Sequence, residues 1–178
     1  EGAPPSTLTY GFDIDIGAAD ETEALSMVSL GDVAVYANDC FRLGEHRVAA
    51  PAMDDRVACA LLVSVMQALP QTRNTVIAVF STQEEVGCRG AKTAAYSVEP
   101  DIGIALDVTA NGDTPETKLP AVKLGEGAAV KIMDRGSISN PDLVRDLLAA
   151  GERAGVKTQR EVLPFGGTDA MAIQVSRS

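Results

Sequence analysis

An α/β fold built on a parallel sheet is what this 178-residue sequence predicts, and three observations carry it. Thr75 to Phe80 is an unbroken apolar run rich in β-branched residues, the pattern of a strand covered on both faces. Ile102 to Leu106 repeats that pattern after an interval long enough for a helical crossover between parallel neighbours. Ala128 to Leu163 then reads as strand, helix and strand again. An apolar fraction of 46% supplies a real core. With 25 acidic against 15 basic residues, the net charge of −10 speaks against a nucleic-acid partner and leaves no polybasic face for an anionic membrane. No apolar run reaches the length of a membrane span, and EGAPPSTLTY lacks the charged and apolar regions of a signal peptide.

In order, Glu1 to Arg47 reads as a small β-rich unit. Gly2, Pro4, Pro5, Gly11, Gly17, Gly31 and Gly44 punctuate it at turn spacing, Leu8 to Ile16 alternates, and Asp32 to Tyr36 is a compact apolar run. Within it, Asp20 to Met27 opens on a capping residue and an acidic first turn, which predicts a short helix. From Val48 to Ser178 the pattern becomes helical and α/β. Val57 to Leu69 is apolar on nearly every face and stops at Pro70, so a buried helix is expected, with Asp54 and Asp55 at its N-terminus. Asp55 serves there as a helix cap; two consecutive Asp residues exceed what a cap needs. Gln71 to Asn74 turns the chain into the Thr75 strand, and Glu84-Glu85 follows that strand.

Gly87 to Ser97 suggests a helix whose glycines permit close backbone approach. Pro100-Asp101 leads into the strand that ends at Asp107. Ala110 to Gly127 is an aperiodic loop enriched in Pro, Gly and Thr. Ala128 to Met133 is a strand; Asn140 caps a helix with Pro141 at its first position that runs to about Ala154; Thr158 to Leu163 is a strand again. Gly166-Gly167-Thr168-Asp169-Ala170 then leads into a short apolar helix. That turn is either an ordinary strand-to-helix junction capped by Thr168 or Asp169, or a ligand-binding turn.

Side chains just past parallel strands reach the crevice where open α/β sheets bind ligands, so Glu84, Glu85 and Asp107 converge on one sheet edge. Such a cluster is unfavourable without a cation or proton, which points to a hard-metal or zinc site. Cys40, Cys59 and Cys88 are odd in number and widely spaced, so they are expected as small buried hydrophobes in a reducing, cytoplasmic setting.

Five motifs, Ala52-Met53-Asp54-Asp55-Arg56, Thr82 to Ala91, Ala105 to Thr109, Ile132 to Arg135 and Gly166 to Ala170, together resemble the dinuclear metallo-aminopeptidases that include glutamyl and deblocking aminopeptidases and the tetrahedral (TET) assemblies. The resemblance implies a three-layer α/β/α metallo-exopeptidase-like domain, incomplete here over 48–178, with residues 1–47 forming part of an inserted small β-barrel domain that serves dimerisation. It implies two divalent metal ions, zinc or cobalt, with Asp54 bridging them, Glu85 and Asp107 as terminal ligands, Glu84 as general base, and Gly166, Gly167, Thr168 and Asp169 binding substrate. It implies a cis Asp54-Asp55 peptide, peptide substrates and a homo-oligomer between dimer and dodecamer. The base role agrees with the pairing, since consecutive side chains diverge and one can bind metal while the other faces the attacking water.

The family's two histidine ligands lie in segments this sequence does not contain. His46 matches neither and is expected on an exposed loop. Ala58, Phe165 and Met171 stand where relatives often carry glycine or another small residue, which bears on substrate fit. Two other readings stay open: an inactive subunit serving assembly, and a glycoside hydrolase. The second fits poorly, because adjacent Glu84 and Glu85 point apart whereas a glycosidase needs its two carboxyls across a sugar.

Overall fold

The computed structural model describes residues 13–115, 117–118 and 122–177. The chain divides into two compact units, Glu1–Pro51 and Ala52–Ser178.

In the first unit, helix α1 spans Glu21–Met27. Asp20 caps it by accepting the Glu23 N–H at 2.9 Å, while the Glu23 carboxylate accepts the Ala19 N–H at 2.8 Å, a reciprocal arrangement that satisfies two free donors at the helix start. Strands β1 (Phe41–Leu43) and β2 (Arg47–Ala49) form an antiparallel hairpin with Phe41 opposite Ala49. Gly44, at φ +66, makes its turn. His46 stands exposed in that turn, 3.7 Å from Glu45.

The β-rich expectation is met only by this hairpin among the described residues. Asp32 to Tyr36 joins no ladder, with Val33 90% exposed and Tyr36 83%; the described residues place no second strand beside this run to pair its backbone groups or cover its side chains. The first part of the Leu8 to Ile16 alternation lies outside the described residues, as do Gly2, Pro4, Pro5 and Gly11; Asp13 to Ile16 carries no strand.

The second unit begins with α2, Met53–Ala68, bent at Asp54 (φ −85, ψ 105) and Asp55 (φ −122, ψ 45). Asp55 accepts the Ala58 N–H at 3.3 Å and so caps the regular part of the helix, as its sequence position predicts. The expected burial of this helix does not hold. Only Ala58 is buried, while Leu61, Val63 and Val65 are exposed, since the described residues place nothing over those faces. Cys59 is exposed for the same reason, and Cys40 is exposed just before β1, so of the three cysteines only Cys88 is the expected buried one.

Thr75 to Phe80 and Ile102 to Leu106 are likewise corrected. Both run without a strand ladder, and Ile77, Phe80, Ile102 and Ile104 are exposed. An apolar β-branched run specifies extended backbone, but a ladder also needs a neighbour in register, and the described residues offer neither run one.

Helix α3 (Arg89–Val98) packs on α5 (Asp169–Gln174) through Cys88, Ala91, Ala172 and Met171. Gly90 permits the expected close approach: its N–H donates to Thr82 O at 2.9 Å, and a Cβ there would lie 2.4 Å from Thr82 N.

The clearest α/β element is β3 (Ala128–Met133), α4 (Pro141–Ala154) and β4 (Thr158–Val162). Its strands are parallel, with Ala128 beside Thr158 and Lys131 beside Glu161, and α4 packs on β3. Asn140 caps α4 through the N–H groups of Asp142 and Leu143, Pro141 occupies its first turn, and Gly155 closes it at φ +65. Asp134, 3% exposed, turns the chain after β3 by accepting the N–H groups of Gly136 and Ser137. Parts of the 110–127 loop lie outside the described residues. No helix among the described residues is long and apolar enough to cross a membrane.

Candidate functional site

A cleft of about 350 Å³ gathers Asp54, Glu84, Glu85 and Asp107 with Thr109, Lys131, Phe165, Gly166, Gly167 and Thr168. Each acid arrives by a different local device. Asp54 sits in the bend at the start of α2, where its peptide to Asp55 is cis, as expected. Glu84 and Glu85 sit in a turn in which Glu84 O accepts both the Gly87 and Cys88 N–H groups at 2.9 Å, with Gln83 at φ +58 before them. Asp107 follows the 102–106 segment, which joins no ladder among the described residues, and accepts the Val108 N–H at 2.8 Å. Gly166, at φ +68, and Gly167, where a Cβ would meet the Met171 sulfur at 3.0 Å, keep the facing wall free of side chains. A larger groove of about 520 Å³ follows α4 between Ile132, Ile138 and Leu148 and holds no comparable cluster of acids.

Four carboxylates in one cleft repel, and the raised proton affinities of Glu85 and, in part, Asp107 reflect it. Partial burial holds Asp107 up to about 6, reinforced by the charges of Asp55, Glu84 and Asp54 and opposed by the Val108 N–H. The charge of Asp54 raises Glu85, with Glu84 adding to it. Asp55 is raised chiefly by burial, with the Ala58 N–H opposing and Asp54, Asp169 and Glu84 adding. Lys131 is the positive group among the described residues lining the cleft, and its ammonium lies 3.2 Å from the fully buried Glu161 carboxylate. The site therefore carries uncompensated negative charge.

Ligand atoms of Asp54, Asp55 and Asp107 lie within 4.8 Å of one another, and so do those of Glu84, Cys88 and Asp169. In the first group the donor atoms are all hard carboxylate oxygens, a set that suits a divalent cation, whereas the second includes the Cys88 sulfur. Asp54 and Asp107, two of the expected metal ligands, fall in one of these groups with Asp55 beside them, and Glu85, the third, lines the same cleft. A carboxylate has two oxygens, so Asp55 caps through one and leaves the other free.

Asp169 stands behind the cleft wall. It accepts a short hydrogen bond from the Ser81 hydroxyl, its Oδ1 is buried without a hydrogen-bond partner among the described residues, and Thr168 rather than Asp169 caps α5. Cys88 was legible only as a small buried residue. Its thiol donates to Glu84 Oε1 at 3.1 Å, and burial first, then Glu84, pushes it up to about 12, so it is an inert donor.

A family model described as M42 glutamyl aminopeptidase matches residues 4–178. The chain is 45% identical over 163 residues to a putative aminopeptidase of Acetivibrio thermocellus, covering 92% of this chain and 49% of that protein. It is 32% identical over 166 residues to the lysyl aminopeptidase of Pyrococcus furiosus, covering 92% and 47%. Among solved structures it is similar to aminopeptidase APDkam598 of the archaeon Desulfurococcus kamchatkensis, with a TM-score of 0.86, 33% identity, and 98% of this chain and 52% of that chain covered. It is also similar to the Pyrococcus horikoshii TET1 peptidase, which can assemble into a tetrahedron or a large octahedral shell, with a TM-score of 0.76, 33% identity, and 97% and 55% covered. The chain thus spans about half the length of the curated relatives it matches.

Proposed function

The chain belongs to the M42 glutamyl aminopeptidase family, and from that premise we propose that the protein carrying it is a metal-dependent aminopeptidase releasing N-terminal residues from peptides. The observation that carries the reading is the convergence of Asp54, Glu84, Glu85 and Asp107 on one cleft with too little positive charge to balance them. Two divalent ions, zinc or cobalt, suit that donor set. Asp54 would bridge them, Asp107 and Glu85 would each hold one, and Asp55 stands close enough to Asp54 and Asp107 to join. When bound, such ions polarise a peptide carbonyl and acidify a water.

The protein's own groups supply the rest. Glu84 accepts the proton of the attacking water at its carboxylate and returns it to the departing amine, in the manner of a general base that turns acid. The Cys88 thiol holds Glu84 Oε1, which leaves Oε2 for that proton. Gly166 and Gly167 let a peptide lie close to the cleft wall, Thr168 borders it, and Asp169 supports the turn from behind through Ser81.

The three-layer peptidase domain over 48–178, and a role for residues 1–47 in an inserted β-barrel dimerisation domain, belong to the same proposal. So does a homo-oligomer between dimer and dodecamer, to which the similarity with a shell-forming peptidase lends support. A reducing, cytoplasmic setting is supported by the free, exposed Cys40 and Cys59. The test is release of free amino acids from short peptides with and without added zinc or cobalt. Metal-stimulated release supports the enzyme, and its absence in a protein that still assembles would favour a purely structural subunit.

A further inference from the structure

Glu161 is the most deeply buried charged residue among those described, 1% exposed, and the cleft reading gives it no task. It sits on β4 beside Lys131 of β3, and both of its oxygens face groups that line the cleft. Oε1 accepts the Thr109 hydroxyl at 2.6 Å. Oε2 makes no hydrogen bond and has the Lys131 ammonium 3.2 Å away as its charge partner. A buried carboxylate with one strong acceptor bond and one ion pair is costly to disturb, so it is a firm anchor.

What it anchors is the segment carrying Asp107. Among the described residues that segment has no ladder to hold it, and Asp107 bonds its neighbour Val108 alone. Thr109, two residues on, is therefore a side-chain tie from the acid-bearing segment to the β3·β4 pair. Only Val108 separates Thr109 from Asp107, so fixing Thr109 limits the directions in which the Asp107 carboxylate can be presented. We infer that Glu161 is a positioning residue for the metal site, acting through the Thr109 hydroxyl to hold the Asp107 carboxylate against Asp54 and Asp55. The inference rests on the metal reading above.

Thr109→Val keeps the size of the side chain and removes the hydroxyl, whereas Thr109→Ser keeps the hydroxyl. Zinc affinity of the full protein carrying this chain is read by titration calorimetry, with thermal unfolding recorded in parallel. Losing a hydrogen bond to a charged group predicts about tenfold weaker zinc binding in Thr109→Val, affinity within about threefold of wild type in Thr109→Ser, and a loss in Glu161→Leu like that of Thr109→Val. Wild-type affinity in a folded Thr109→Val, or a Thr109→Ser as weak as Thr109→Val, overturns the tether. Weak binding in Thr109→Val with wild-type binding in Glu161→Leu overturns the part assigned to Glu161. Asp107→Asn separates the premise from the inference: if it binds zinc as tightly as wild type, the metal reading itself fails.

Discussion

Gly90→Ala is the sharpest perturbation of the turn that carries Glu84 and Glu85. The added Cβ would stand 2.4 Å from Thr82 N, 2.6 Å from Thr82 O and 3.2 Å from Ser81 C, all backbone atoms that cannot rotate aside. Ordinary contact begins at 3.4 Å, so α3 and the Ser81-Thr82 backbone must part by about 1 Å. That displacement stretches the Gly90 N–H to Thr82 O bond from 2.9 Å beyond hydrogen-bond length. Overpacking costs about 1–3 kcal/mol and the lost bond about 1 kcal/mol more, against a small gain from Ala's better helix propensity. A net destabilisation of roughly 1–3 kcal/mol follows, read as a shifted urea midpoint at unchanged slope. Because Ser81 also holds Asp169, the turn bearing Glu84 should shift with it, lowering kcat in the complete enzyme. A variant that unfolds within about 0.5 kcal/mol of wild type would refute the claim that this glycine is required by its contact with Thr82.

Glu84→Gln and Asp54→Asn are expected to separate proton transfer from metal binding. The first should cut turnover by several orders of magnitude at unchanged metal content, and the second should lower metal content itself, both checked by elemental analysis beside peptide assays. Acid should weaken metal binding through Asp107: lowering pH through about 6 protonates it, and proton and cation compete for the same oxygens, so zinc affinity measured from pH 7.5 to 5 should fall. The metal-free protein should respond oppositely at this group. A folded-state pKa above the unfolded 3.8 means that its contribution to stability is greatest below about 4 and is lost as pH rises toward 6, which denaturant titration of Asp107→Asn against wild type would detect. Finally, the 178-residue chain alone should self-associate through the exposed faces of α2, 75–80 and 102–106; light scattering showing a monodisperse monomer at tens of micromolar would contradict this.

Local order was the part of the structure most legible in the sequence. Asp20, Asn140, Pro141 and Gly155 each fix a helix end through bonds within a few residues, so their meaning travels with the sequence. What failed depends on neighbours. The runs 75–80 and 102–106 read as strands but join no ladder among the described residues, and α2 reads as buried although buried helices and uncovered apolar ones share one pattern. The acids followed the same division. The sequence places Glu84, Glu85 and Asp107 at element ends, where side chains enter a crevice, while Asp54 stands out by the doubled Asp and the family resemblance, and all four line the cleft. Asp55 reads as the cap that it is, and its closeness to Asp107 depends on how two separate segments meet.

Glu161 is absent from the sequence reading for a different reason, although its position in the strand pattern carries a signal. Alternation along β4 places Glu161 on the same face as Leu163, which is 6% exposed, so the period-two rule puts a carboxylate where an apolar side chain is expected. A charge on a core face is tolerated only with partners, and the strand beside it supplies Lys131 in direct register. The acid cluster and this buried pair are therefore linked by one balance of charge. Lys131 is committed to Glu161 and is only partly available to the cleft, so it cannot neutralise four carboxylates. The fold accepts their repulsion at the ends of three separate segments, and a bound cation is the economical way to relieve it.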